Sequence, residues 1–199
     1  MNEILENIVK IEHGFKHIIE AGNLLLKNDG IDHLLMAKRF IETDQVYQIR
    51  MLGVYMLGEI SHTNSDAFHM LENIIPKDEN WRVQEMLAKA FDSYCKHVGY
   101  ENALPEIESW INNENTNIKR AVTEGLRIWT SRNFFKQHPE IAIELISRNR
   151  LADSEYLSKS IGNSLRDIRK KYPEAIEKET SKWDINHHKI QLILKLINK

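Results

Sequence analysis

The stretch NWRVQEMLAKAF, Asn80 to Phe91, decides the fold. Val83, Leu87 and Phe91 recur every four residues, as the buried stripe of an α-helix does. The same nine-residue pattern returns in IRMLGVYML (Ile49 to Leu57), IKRAVTEGL (Ile118 to Leu126) and LSKSIGNSL (Leu157 to Leu165). Each copy has an apolar residue at its first, fifth and ninth positions, except that Gly53 takes the fifth place in the first copy. The starts lie 34, 35 and 39 residues apart, and IQLILKLIN, from Ile190, reads as a fifth copy 33 residues further on. Helical units recurring at this period cannot bury their apolar stripes alone, so they must stack on one another as an α-solenoid.

The segments between the copies fit that reading. Turn and cap residues cluster in KNDG (27–30), ETD (42–44), HTNSD (62–66), PKDEN (76–80), NNENTN (112–117) and RLADSE (150–155). The stretches between them are one or two helices long, and neither sustained alternation nor an Asn-Gly hairpin signals a strand. Asp78, Asn115 and Asp153 precede helices and are expected to cap them. The expected organisation is one domain over 1–199, with N-terminal helices in 1–40 and about four to five repeats in 41–199.

Composition narrows the class. Of 199 residues, 42% are hydrophobic and 28% charged, as in an ordinary globular chain. No run reaches the roughly 18 apolar residues of a membrane helix, and acids and histidines interrupt the N-terminal stretch, so a cytoplasmic protein is expected. Cys95, the single cysteine, allows no internal disulfide and reads as a packed residue. The net charge of −2 is uneven: residues 1–114 carry 10 Lys+Arg against 19 Asp+Glu, whereas residues 115–172 carry 12 against 6. A basic block of that size can attract a polyanion such as nucleic acid.

Solenoid register places equivalent positions on one face. The third positions are Met51, Glu85, Arg120 and Lys159, and the seventh are Tyr55, Lys89, Glu124 and Asn163. Glu85, Arg120 and Lys159 are therefore expected to form a column, with Trp81 projecting near its acidic end. An ion pair between Glu85 and Arg120 is the plainer reading of the same geometry.

These residues resemble the HEAT-like-repeat DNA alkylation repair glycosylases of the AlkD and AlkC type. YLSKSIGNSLRDIRKKYPE (156–174) is similar to the family's small-residue helix that carries Leu-Arg-acid and ends at Pro. IKRAVTEGLRIW (118–129) resembles the helix bearing the family's Arg, and NWRVQEMLAKAFD (80–92) the helix with a Trp four residues before a catalytic carboxylate. The resemblance spans roughly residues 40–199. It implies a right-handed solenoid with a concave basic face that binds duplex DNA and hydrolyses the N-glycosidic bond of N3- or N7-alkylated purines. By position, Glu85 would be the catalytic carboxylate, where the AlkD branch has Asp, and Trp81 an aromatic wall at the lesion. Arg120 would contact a phosphate near the lesion.

That chemistry suits the residue types. An alkylated purine is cationic and leaves readily, and a carboxylate can steady the oxocarbenium-like sugar. A Trp face attracts a cation and Arg grips phosphate. No metal or other cofactor is needed, and a monomer is expected. Lys159, Lys119, Arg127 and Arg166 are further candidate DNA contacts, with Arg132, Lys136, Arg169, Lys170 and Lys171 in the same basic block. A second family aromatic would fall at Asn163, so Trp129 or Tyr55 would have to substitute. That departure keeps open a catalytically inactive HEAT-repeat DNA-binding relative, and the acidic residues 1–114 keep open a protein-interaction scaffold. Trp110, Trp129 and Trp183 otherwise read as inter-helix packing. His13 and His17, four apart, and the adjacent His187 and His188 are weak metal candidates.

Overall fold

The computed structural model describes residues 2–43 and 46–199, so the turn expected at 42–44 lies partly outside the described residues. These residues form thirteen α-helices and one 3-10 turn, with no strand among them. The helices are α1 (Asn2–Val9), α2 (Lys16–Leu26), α3 (His33–Thr43), α4 (Tyr47–Ile60), α5 (Ser65–Asn73), α6 (Trp81–Val98) and α7 (Leu104–Ile111). They continue as α8 (Thr116–Trp129), α9 (Asn133–Gln137), α10 (Pro139–Ser147), α11 (Glu155–Arg169), α12 (Pro173–Thr180) and α13 (His188–Ile197). The 3-10 turn, Ile75–Lys77, precedes α6. Two compact units divide the chain, residues 1–98 and 99–199. No helix of the described residues is long and apolar enough to cross a membrane.

In the first unit α4 is central. Helices α1, α2, α3, α5 and α6 all pack on it. Its sequence explains why: apolar and small residues occur on every face, and Ile49, Met51 to Val54 and Met56 to Gly58 are all buried. A helix apolar all round belongs inside a core. Gly58 lets α6 come close, because a Cβ there would stand 2.5 Å from Ala90 Cα. Met51, expected on an open face, is instead sealed in this core at 2% exposure.

In the second unit α11 lies against both α8 and α13, with α10 and α12 also packed on it. Ile118, Val122 and Leu126 of α8 and Leu157, Ile161 and Leu165 of α11 are buried, as are Val83, Leu87 and Phe91 of α6 in the first unit. The four-residue stripe thus forms the core in every one of these copies. The fifth copy differs: α13 buries Ile190, Ile193 and Ile197, a three-and-four spacing rather than two steps of four. The helix is rotated so that Leu196 meets α11 at Gly162, where a Cβ would stand 2.7 Å from Leu196 Cβ. An aromatic cluster of Tyr100, Trp129 and Phe135, with ring centroids 5.3 to 6.2 Å apart, fills the region beside α8 and α9.

Capping departs from expectation by a residue or two. Asn115 caps α8 through Asn117 N–H as expected. Ser154, not Asp153, caps α11, accepting from Leu157 N–H at 3.2 Å. Asp153 instead pairs with Lys189. At α6 the side chain of Asn80 accepts from Arg82 N–H at 3.0 Å, and Asp78 accepts from Asn80 N–H at 2.8 Å. Asp78 also holds Arg50 of α4 by two hydrogen bonds, at 2.6 and 3.2 Å. In both places the aspartate is drawn to a cation on another segment and a neighbouring neutral side chain takes the cap.

Candidate functional site

Trp81 opens α6 and is 52% exposed, and Glu85, one turn later on the same face, is half-buried. The face is not bare. Arg82 lays its guanidinium over the Trp81 ring at 4.4 Å and over the Tyr47 ring at 5.1 Å. It also reaches His13 Nδ1 at 3.3 Å. Further along, Lys89 sits over the Phe15 ring at 4.8 Å. The loop between α1 and α2 supplies both His13 and Phe15, and it is pinned from beneath. Tyr47 donates from its hydroxyl to Glu12 O at 2.9 Å, and Gln48 donates to Val9 O at 3.3 Å. The first unit therefore sets Trp81 in an aromatic and cationic cluster with Arg82, Tyr47 and His13.

Sequence reasoning missed Arg82 and Tyr47. The signal was present, because Tyr47 lies 34 residues before Trp81 and so holds the same place in the repeat. The two repeat-equivalent aromatics bracket one guanidinium, each contact contributing about 0.5–1 kcal/mol at an exposed site.

The candidate phosphate contacts lie on α8 and α11 of the second unit. Arg120, half-buried, places its guanidinium over the Tyr156 ring at 4.5 Å. Lys119 is also half-buried. Lys159 is exposed and pairs with Glu155 at 2.6 Å. Arg127 is tied to Glu124 at 3.0 Å and to Asp167 at 3.2 Å, which holds it against the helices. Arg166 lies 3.7 Å from Asp167. Lys170 donates to the same carboxylate at 2.9 Å, and that bond, with the charges of Lys170, Arg127 and Arg166, lowers the Asp167 pKa from its ordinary value against the opposing effect of burial.

The proposed substitutes for the missing aromatic are otherwise employed. Trp129 is fully buried, its ring against Gly125 of its own helix and the Tyr100–Phe135 cluster, so no base can stack on it. The Tyr55 ring packs closely against Gly22 of α2, and its hydroxyl donates to Asn23 Oδ1 at 2.7 Å. Burial, then the charge of Glu59, pushes that hydroxyl up to about 12, so it stays neutral. Asn163 is half-buried on α11. Trp110 and Trp183 are core residues, and Cys95 is buried. His13 is in a loop rather than on the helix of His17, so their four-residue spacing does not bring them onto one helical face. Desolvation holds His17 below the ordinary histidine value.

The comparisons with known proteins agree with this architecture. Residues 23–182 match the family of DNA alkylation repair enzymes. The crystal structure of AlkD2 from Streptococcus mutans is similar over 100% of this chain and 95% of its own, with 40% identity and a TM-score of 0.93. That of smu.31 from Streptococcus mutans UA159 is similar over 93% of this chain and 92% of its own, again at 40% identity, with a TM-score of 0.88. No curated protein sequence matches significantly. The helical-repeat fold and the match over residues 23–182 place this chain in the DNA alkylation repair enzyme family.

Proposed function

We propose that the chain binds duplex DNA and excises N3- or N7-alkylated purines, with Glu85 as the catalytic carboxylate and Trp81 beside the lesion. The observation that carries this reading is the pairing of an exposed indole and a half-buried carboxylate one turn apart on α6, in a chain of this family. A carboxylate held beside the sugar stabilises the charge that develops as the glycosidic bond breaks, and it can orient the attacking water. Arg120, Lys119 and Lys159 supply charge to phosphates, which positions the strand without reading its sequence. The reaction needs no cofactor, since the alkylated base is already a cationic leaving group. The protein acts in the cytoplasm as a monomer.

The test is release of free modified base from randomly methylated duplex DNA, with Glu85→Gln beside the wild type. The expected result is release by the wild type and a loss of ~100-fold or more in the variant. Equal release by both would remove Glu85 from the chemistry.

A second reading is a DNA binder without base excision. Asn163 in place of an aromatic favours it, as do the burial of Trp129 and the guanidinium already resting on Trp81. Salt-sensitive binding of methylated duplex with no base released by the wild type would establish this reading instead.

A further inference from the structure

Helices α4 and α6 pack on each other in the first unit, and each begins with an aromatic residue, Tyr47 and Trp81. Both rings face one cation: the Arg82 guanidinium lies 4.4 Å from the Trp81 centroid and 5.1 Å from the Tyr47 centroid. The Tyr47 ring is fixed by its hydroxyl, which donates to Glu12 O at 2.9 Å. Arg82 is held differently from Arg50, its counterpart on α4. Arg50 is locked to Asp78 by two hydrogen bonds, in a pair 19% and 14% exposed. Among the described residues no carboxylate pairs with Arg82. Its polar partner is His13 Nδ1 at 3.3 Å, on a side chain 74% exposed, so water competes for that bond. Trp81 is itself half open to solvent. The guanidinium therefore rests on two rings and one solvated imidazole, contacts that a second cation can replace. Aromatic faces attract positive charge, and the guanidinium that fits this pair is flat and delocalised. A purine alkylated on a ring nitrogen is also a flat, delocalised cation, with a larger face. An unmodified purine has the face without the charge.

We propose that Tyr47 and Trp81 form a site for a flat organic cation of the alkylpurinium class, and that Arg82 fills this site in the free protein as an internal competitor. A neutral base leaves Arg82 in place. A cationic base replaces its charge over the rings, and the guanidinium turns out to solvent. Arg82 is thus a specificity-determining residue that closes the aromatic pair to unmodified bases. Its bearing on base excision rests on the reading above, in which Glu85 acts one turn along the same helix. The displacement of Arg82 by a cation does not depend on that reading.

The experiment is an NMR titration of the full chain with 1-methyladenosine, whose purine is cationic at neutral pH, and with adenosine, which is neutral. The Trp81 indole N–H is followed in the wild type, in Arg82→Ala and in His13→Ala. Neither replaced side chain belongs to the core, so both variants are expected to fold, and an unchanged melting temperature checks this. The expected result is a saturable shift with 1-methyladenosine and at least about fivefold weaker binding of adenosine. Arg82→Ala should bind 1-methyladenosine about threefold tighter or more. His13→Ala keeps the charge of Arg82 but removes its anchor, and should act in the same direction by a smaller factor. The gain in Arg82→Ala should persist at about 1 M salt, where charges more than roughly 3 Å apart are screened. Unchanged or weaker binding in folded Arg82→Ala overturns the proposal. A gain that salt abolishes also overturns it, because charge repulsion alone would then account for the effect. So does adenosine binding as tightly as 1-methyladenosine. Base release from methylated duplex is measured on the same proteins. Release by the wild type, with cation affinity unchanged in Arg82→Ala, removes the competitor and leaves the glycosylase reading. No release by any of them, with tighter cation binding in Arg82→Ala, does the reverse.

Discussion

The two units use the same repeat for different ends. Residues 1–98 hold 10 Lys+Arg against 15 Asp+Glu, and residues 99–199 hold 17 against 14. The acidic unit packs five helices around one apolar centre, α4, and keeps its candidate chemistry on α6. The basic unit lays α8, α11 and α13 one on the next and carries its cations on the faces left over. One stripe spacing therefore builds both cores. What the remaining helix faces carry distinguishes the units: an aromatic-carboxylate pair in one, an excess of Arg and Lys in the other.

The largest expected effect tests how tightly each core is made. Gly58→Val puts atoms into the backbone of Ala90, which cannot turn aside, and overpacking of this kind costs about 3 kcal/mol. Gly162→Val meets the side chain of Leu196, which can change rotamer, and should cost about 1–2 kcal/mol. Denaturant midpoints of the two variants measure the difference. Equal losses would mean that the α11–α13 contact is as unyielding as the α4–α6 contact.

A smaller effect separates the ion pairs. Arg50 and Asp78 are 19% and 14% exposed and make two hydrogen bonds, so Arg50→Ala leaves a nearly buried carboxylate with only Asn80 N–H, at a cost of about 2 kcal/mol. Arg127, at 35% exposure and near two acids, should cost under about 1 kcal/mol when replaced by Ala. If thermal unfolding gives the reverse order, the first unit does not depend on its buried pair.

How much of this the sequence disclosed follows from which forces are local. The stripes at Val83, Ile118 and Leu157 were legible because burial repeats with helical period. The caps were displaced because Asp78 and Asp153 answer to Arg50 and Lys189, partners far away in sequence. The open face expected at Met51 failed because α1, α2 and α3, which lie outside the nine-residue pattern, close over α4. At the candidate site, the four-residue spacing and the family resemblance singled out Trp81 and Glu85, while nothing in the sequence pattern drew attention to Arg82. Its stacking between Tyr47 and Trp81 depends on where α4 delivers Tyr47. Arg82→Ala tests what that stacking does. It should raise quenching of Trp81 fluorescence by iodide and, if Trp81 receives the base, raise base release about threefold by uncovering the ring. Unchanged quenching would show that the guanidinium does not shield Trp81.

The smallest effects concern pH, and they assign opposite edges of the stability profile to the two units. Burial and the charge of Glu59 raise Tyr55 from 10.0 to about 12 in the folded first unit. Between those values the folded chain holds the proton that the unfolded chain has lost, so this contribution to stability is complete below pH 10 and declines as pH rises toward 12. In the second unit Asp167 is lowered below 3.8, chiefly by the hydrogen bond from Lys170. Its contribution is present above pH 3.8 and is lost as pH falls through the lower folded value. Both groups are partly solvated, which keeps each effect small. Tyr55→Phe should flatten the alkaline slope of the denaturant midpoint and leave the acid slope alone, and Asp167→Asn should do the opposite. An alkaline slope that survives Tyr55→Phe would show that the hydroxyl ionises in the folded chain as readily as in the unfolded one. The Tyr55–Asn23 contact would then be open to water rather than part of the packed face between α2 and α4.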